Sequence, residues 1–469
     1  MRQHDPRRQT QQGKDGSGDD SVRTPDATRA VVFSPHLEGK SGSRGTPGAH
    51  AMATRSPEAR LEEAVGLTRA IELEVVAEGV VPVPNPRPST LFGSGKVEEL
   101  KGIIRAEEAG LAIVDHPLTP VQQRNLERAW DVKVLDRTGL ILEIFGERAL
   151  TKEGRLQVEL AHLTYQKGRL VRSWTHLERQ RGGVGFLGGP GETQIEADRR
   201  MIQERITSIR QDLTQVRRTR ALHRKSRERV PYPTVALVGY TNAGKSTLFN
   251  RLTGADVLVE DKLFATLDPT IRAIHLPGGS KAVLSDTVGF ISELPTMLVE
   301  AFRATLEEVE EADLILHVRD IADPDSEGQR DDVLSVLGEL GIDADEDPER
   351  ILEVWNKIDL LEKEALAAAT NAAPRDSGKP LLISAITGQG IEALLAEIER
   401  RLNRTRENLQ IELGPEEGAL TNWIYENCEV VERNELGEGV VELDVRVAPE
   451  KRARLAKLAG PERLPPAAE

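Results

Sequence analysis

The sequence predicts a multi-domain α/β protein. It reads as a small N-terminal α/β domain, an antiparallel helical hairpin, a P-loop domain with a mostly parallel sheet, and a small C-terminal α/β domain. Three observations predict it. The 469 residues are too many for one compact core. Strand-like and helix-like apolar patterns alternate before residue 150 and again after 234, as in a parallel sheet covered by helices. Between them lie two long stretches of helical periodicity with no strand signal.

Residues 1–55, rich in Gly, Ser, Arg, Asp and Thr, read as a disordered tail. In the N-terminal domain (56–151), IELEVV, LAIVD and VKVLD read as strands, and VEELKGIIRAEEA and TPVQQRNLERAW as helices. The hairpin (152–230) follows. Leu156, Leu160, Leu163, Leu170, Trp174 and Leu177 mark one face of its first helix. Ile195, Ile202, Ile206, Ile209, Leu213 and Val216 fall mostly at steps of four and three on the second, a heptad seam. A glycine-rich tip at 182–191 joins the two. Pro231 and Pro233 end the second helix and open the P-loop domain (231–406). The last segment (407–469) contains LQIEL, a helix at GALTNWIYE, and EVVERNELGEGVVELDVRV, two strands around a glycine turn.

Composition excludes several classes. With 38% hydrophobic and 30% charged residues the chain reads as soluble. No apolar run approaches the roughly 20 residues of a membrane helix. The start, MRQHDPRRQT, lacks an apolar signal core, so a cytoplasmic location is expected. Cys428 is the only cysteine, which excludes an internal disulfide and reads as a buried structural thiol. A net charge of −15 argues against a nucleic-acid partner, but its distribution argues back. Residues 199–229 carry eleven Arg/Lys against three Asp/Glu, a local net of +8.

Two glycine patterns are decoys. GVGFLG (183–188) matches a dinucleotide fingerprint, but a helix precedes it where a strand is required. FGSGKVEEL (92–100) resembles half a phosphate loop, with Thr90 at the first glycine position and Val97 in place of the hydroxyl. The genuine site is TVALVGYTNAGKSTLFN. Gly239, Tyr240, Thr241, Asn242, Ala243, Gly244, Lys245, Ser246 and Thr247 form a strand–loop–helix whose backbone N–H groups can wrap phosphates. Lys245 would reach the β- and γ-phosphates, and Ser246 would ligate Mg²⁺.

LSDTVGF places Asp286 at a strand end, where it holds the metal through water. Thr287, Val288 and Gly289 follow, Gly289 with its N–H at the γ-phosphate. LFATLDPT contributes Phe264, Ala265, Thr266, Leu267 and Asp268, with Thr266 as second hydroxyl on Mg²⁺. VWNKIDL supplies Asn356, Lys357, Ile358 and Asp359. Asp359 accepts from guanine's N1–H and exocyclic amine together, a pair adenine lacks. Ser384 and Ala385 in LLISAITG are expected at the guanine carbonyl. The order and spacing of these motifs predict a GTPase acting on GTP to give GDP and phosphate, with Lys245, Thr266 and Gly289 as its catalytic groups. Phe290 stands where many GTPases carry a water-orienting glutamine, so slow intrinsic hydrolysis is expected. Asn242 in G-x-x-N-x-G-K resembles potassium-stimulated GTPases and adds K⁺ as a candidate ion.

GYTNAGKST, LFATLDPT, DTVGF, NKID and especially RGGVGFLGGPGETQIEADRR resemble the HflX family of translation-associated GTPases, as do DRTGLILEIFGERA and EGRLQVELAHLTY. The resemblance spans about residues 60–450. It implies binding to the large ribosomal subunit, with its rRNA and proteins, by a monomer. It also implies splitting of stalled ribosomes under stress, with the hairpin tip near the peptidyl-transferase region. Gly185, Phe186, Gly188 and Gly189 at the tip, and Arg199, Arg200, Arg217 and Arg218 on the second helix, are the candidate RNA contacts. Three other readings stand beside it: a large-subunit assembly GTPase, an ATP-dependent rRNA remodeller with regulatory GTP, and a nucleotide-gated RNA scaffold without turnover.

Overall fold

The computed structural model describes residues 26–37, 55–180, 194–227, 232–254, 264, 270–292, 306–343, 347–372, 379–404, 406–437, 439–447 and 449–460. The N-terminal sheet contains β1 (Asp26–Leu37), β2 (Glu74–Val83), β3 (Ala109–Val114) and β4 (Lys133–Asp136), all parallel, in the order β2-β1-β3-β4.

β1 corrects the reading of residues 1–55 as a tail without structure. It is an interior strand, with Ala30, Val31, Val32 and Phe33 between 0% and 2% exposed. A parallel strand buried on both faces needs only a short continuous apolar run. RAVVF is such a run, diluted by the polar residues around it.

Four helices complete this unit: α1 (Pro57–Ala70), α2 (Ser94–Ala106), α3 (Pro120–Trp130) and α4 (Arg137–Arg148). Ser56 caps α1 by accepting from the Ala59 N–H, and Thr119 and Gln122 form a reciprocal capping box on α3. Asp136 caps α4, accepting from the Gly139 N–H at 2.8 Å.

α5 (Lys152–Gln180) and α6 (Gln194–Arg227) run antiparallel, because Glu159 pairs with Arg205 and Lys167 with Gln203. Val158 and Ala161 of α5 are buried, as are Ile206, Ile209 and Leu213 of α6. The three α6 residues belong to the predicted seam, and their burial comes from this helix pairing. The tip at 182–191, with Gly185, Phe186, Gly188 and Gly189, lies outside the described residues. The hairpin is tied back to the N-terminal unit at the α4 cap. Tyr165 Oη donates to Asp136 Oδ1 at 2.6 Å, and Arg169, stacked over the Tyr165 ring, donates to Asp136 Oδ2 at 2.6 Å.

The third unit is a six-stranded sheet, β10-β9-β8-β5-β7-β6. Its strands are β5 (Thr234–Val238), β6 (Thr270–His275), β7 (Lys281–Asp286), β8 (Leu314–Asp320), β9 (Ile351–Asn356) and β10 (Leu381–Leu382). Only β6 is antiparallel. Its helices are α7 (Lys245–Thr253), α8 (Ser326–Glu339), α9 (Lys363–Ala372) and α10 (Ile391–Asn403). β5 lies between β7 and β8, so the chain leaves it at a switch point in strand order, where open α/β sheets bind ligands.

The C-terminal unit is an antiparallel sheet, β11-β13-β12, with β11 (Glu407–Leu413), β12 (Glu429–Gly437) and β13 (Val440–Val447). Helices α11 (Gly418–Asn427) and α12 (Pro449–Ala459) accompany it. Cys428 is buried and free, and burial pushes its thiol up to about 11, so it is inert. Among the described residues no helix is long and apolar enough to cross a membrane.

Candidate functional site: a guanine-nucleotide centre

The site forms where β5, β7 and β9 end on one edge of the six-stranded sheet. Gly239 leaves β5 at φ +152°, and a Cβ there would stand 2.2 Å from the Val318 carbonyl oxygen of the neighbouring strand. Only glycine lets the loop pass so close. Gly244 has φ +91°, and a Cβ on it would meet Asn356 Nδ2 at 2.2 Å. These two glycines fix the loop, and α7 starts at Lys245 with its N-terminal N–H groups facing the loop interior.

Lys245 is buried, and its Nζ donates to the carbonyls of Gly239 at 3.0 Å and Tyr240 at 2.7 Å. Burial pulls its amine down to about 8, against the opposing pull of Asp286. A phosphate chain would restore the full charge. Ser246 Oγ donates to Asp286 Oδ2 at 2.8 Å, so the proposed metal hydroxyl and carboxylate are adjacent. That donor set suits Mg²⁺, a hard cation bound through oxygen. Thr266, with Ala265, Leu267 and Asp268, lies outside the described residues.

The Asp286–Gly289 segment reaches the loop as expected. A Cβ on Gly289 would stand 2.9 Å from Thr241 Cγ2 and 3.1 Å from Lys245 Nζ. The side chains of Thr287, Val288 and Phe264 are buried. Thr287 is buried and donates to the Leu237 carbonyl at 2.6 Å, and Val288 is 3% exposed. Phe264 is also 3% exposed, packed edge-on against Phe145 of α4 with ring centroids 4.7 Å apart. An apolar ring gains more from that core than from a charged ligand. Phe264, Thr287 and Val288 therefore use their side chains for packing. Phe290 is buried, and its backbone bonds Gly239 O and Thr241 N, so its ring does not orient water.

The base side is held by Asn356. Its Nδ2 donates to the Ala243 carbonyl at 2.8 Å, and its Oδ1 accepts from the Ala385 N–H at 2.9 Å. One side chain thus ties the phosphate loop to the loop after β10. The Ala385 N–H, in the segment expected at the guanine carbonyl, bonds Asn356. Ser384 Oγ, likewise, accepts from the Thr387 N–H at 3.1 Å. Lys357, at φ +65°, pairs with Asp320 at 2.7 Å. Asp359 is exposed, open to a base. Ile358 next to it is buried, and Asn242 and Thr247 border the loop, Asn242 exposed at φ +59°.

Several residues that shape the site were not legible in the sequence. Arg251 Nε donates to the Ala385 carbonyl at 3.0 Å. Glu63, Arg137 and Arg55 come from the N-terminal unit, and Glu63 and Arg55 bond the Tyr240 hydroxyl. No spacing rule links residues that far apart. On the hairpin, Arg199, Arg200 and Arg218 are exposed, Arg200 with Glu204 one turn away at 3.7 Å. The Arg217 side chain lies outside the described residues.

Known proteins resemble this chain along most of its length. Residues 58–146 match the family described as GTP-binding GTPase N-terminal, and 148–227 its middle region. Residues 234–357 match the family described as 50S ribosome-binding GTPase, and 370–467 the HflX C-terminal domain. The chain is 52% identical over 395 residues to a GTPase HflX of Magnetococcus marinus, covering 84% of this chain and 89% of the relative. It is 47% identical to a GTPase HflX of Escherichia coli, covering 77% and 83%. A solved GTP-binding protein of Sulfolobus solfataricus with GDP is 23% identical, at a TM-score of 0.42, covering 80% of this chain and 98% of that one.

Proposed function

The chain belongs to the HflX family of GTPases, and from that membership we propose that it binds the large ribosomal subunit in its GTP state and separates stalled ribosomes into subunits. Hydrolysis of GTP to GDP and phosphate then releases it. The observation that carries the reading is the charge of α6. Arg199, Arg200 and Arg218 stand exposed on a segment of net +8 within a chain of net −15. Such a face suits rRNA phosphates, and glycines at 182–191 allow close approach to folded RNA, where Phe186 would stack on a base. On this reading the protein acts in the cytoplasm on ribosomes, under stress and as a monomer.

Mg²⁺ would be held by Ser246, Thr266 and, through water, Asp286, neutralising charge on the transferred phosphoryl group. K⁺ would sit beside Asn242. Lys245 and the loop N–H groups bind the phosphates, and the N–H of Gly289 holds the γ-phosphate. With Phe290 turned into the core, the chain by itself orients attacking water poorly, so the ribosome must raise the rate.

Stimulation by isolated subunits tests this. Large subunits are expected to accelerate GTP hydrolysis at least tenfold and small subunits not at all, with the effect falling steeply as salt rises. Replacing Gly188 and Gly189 with bulky residues should remove the stimulation and leave GTP affinity intact. Equal stimulation by both subunits would favour a non-specific RNA effect and sink the assignment.

A further inference from the structure

The N-terminal unit grips the nucleotide loop through a buried polar cluster that the GTPase motifs do not include. At its centre is the Tyr240 hydroxyl, on the residue that follows Gly239. It donates to Glu63 Oε2 at 2.8 Å and accepts from the Ser292 N–H and from Arg55 Nη1, both at 2.8 Å. One donor and two acceptor sites are thereby all in use. Arg137, the first residue of α4, completes the cluster. Its Nη2 donates to Glu63 Oε1 at 2.6 Å, to the Ser292 carbonyl at 3.0 Å and to Ser292 Oγ at 2.9 Å, while Nη1 donates to Asp115 Oδ1 at 2.6 Å. Burial alone would raise the Glu63 carboxyl, but the guanidiniums of Arg137 and Arg55 outweigh it and hold it below the usual range. Burial and Glu63 together keep Tyr240 a neutral phenol.

The cluster fixes both backbone groups of Ser292, six residues beyond the metal carboxylate Asp286. The segment 286–292 is thus held at Asp286 by the β5–β7 ladder, at Phe290 by its backbone bonds to Gly239 and Thr241, and at Ser292 by the cluster that the N-terminal unit completes. Between the anchors, Gly289 lies against Thr241 and Lys245. A γ-phosphate seated between Lys245 and Gly289 requires this segment to retreat, whereas GDP, with no γ-phosphate, does not. The N-terminal anchor therefore opposes the triphosphate selectively.

We propose that Tyr240, Glu63 and Arg137 are positioning residues that hold the Asp286–Ser292 segment against the phosphate loop, so that the N-terminal unit sets the preference for GDP over GTP. The assignment rests on the guanine-nucleotide reading of the site. It also gives the hairpin a route to the nucleotide, because Asp136, which holds Tyr165 and Arg169 of α5, is the neighbour of Arg137. A hairpin displaced by a bound partner would pull on the same turn.

The test is to titrate fluorescent GDP and a fluorescent non-hydrolysable GTP analogue, with Mg²⁺, into the full chain and into Tyr240→Phe, Glu63→Gln and Arg137→Lys. Glu63→Gln, outside the nucleotide motifs, should raise the affinity for the GTP analogue about fivefold to tenfold, with GDP affinity changed less than twofold. Arg137→Lys, which keeps the charge but loses the fork, should act in the same sense more weakly, and Tyr240→Phe should likewise raise the ratio of GTP-analogue to GDP affinity. A merely structural role would lower both affinities together, and that outcome, or an unchanged ratio in all three variants, overturns the proposal. If the parent chain binds neither nucleotide, the guanine-nucleotide reading fails and takes the proposal with it. Thermal melting of each variant identifies any that do not fold, and whichever of Glu63→Gln and Arg137→Lys folds then decides.

Discussion

The Lys245→Ala protein is expected to bind GDP and GTP roughly 10²–10³-fold more weakly than the parent in a fluorescence titration with Mg²⁺. Lys245 is buried beneath the phosphate loop, with its amine on the carbonyls of Gly239 and Tyr240. Removing one member of a buried charge pair costs about 3–5 kcal/mol, which sets the size of the effect. The nucleotide-free protein should behave differently. There the ammonium is desolvated, and its pKa falls to about 8 because the fold disfavours the charge. Below that pH the folded chain carries the cost of a buried cation that the unfolded chain hydrates freely, so alanine should not lower the melting temperature at neutral pH. Weak nucleotide binding without loss of stability separates a ligand-binding lysine from a structural one. Parent-like affinity in the variant would contradict the site.

Asp359→Asn should exchange base specificity. A carboxylate accepts from guanine N1–H and the exocyclic amine at once, whereas an amide presents one donor and one acceptor. Guanine then meets a mismatched group, and xanthine, with a carbonyl at that carbon, meets a matching one. GTP affinity should fall by about 10²-fold or more, and xanthosine triphosphate affinity should rise above that of the parent. Competition between the two nucleotides reads the exchange directly. Asp359 is exposed and adjoins the buried Ile358, so the substitution leaves the core intact. An unchanged preference for guanine would place the base elsewhere.

The parts of this site legible in the sequence are the local motifs at strand ends. The phosphate loop, Asp286 and Asn356 could be named because each motif follows a strand end, whereas the Ser246–Asp286 hydrogen bond and the Asn356 tie to Ala243, across 40 and 113 positions, came only from the fold. The hairpin was readable from the heptad seam of α6, whose Ile206, Ile209 and Leu213 are buried. What was missed depends on contacts between distant segments. β1 is a short apolar run whose partners, β2 and β3, begin dozens of residues later, and averaged composition hid it. Phe264 lies inside a nucleotide motif, and only the approach of Phe145 shows that its ring belongs to the core. The Glu63–Arg137–Tyr240–Ser292 cluster joins residues 52 to 229 positions apart, beyond any local pattern.

The separation of ribosomes in the GTP state is tested most directly by sedimentation. Intact ribosomes are incubated with the protein and a non-hydrolysable GTP analogue, then resolved on a sucrose gradient. The expected result is a loss of the intact peak in favour of free subunits, with the protein on the large one, and no such loss with GDP. Ribosomes that remain intact, with or without the protein bound, would contradict a splitting role.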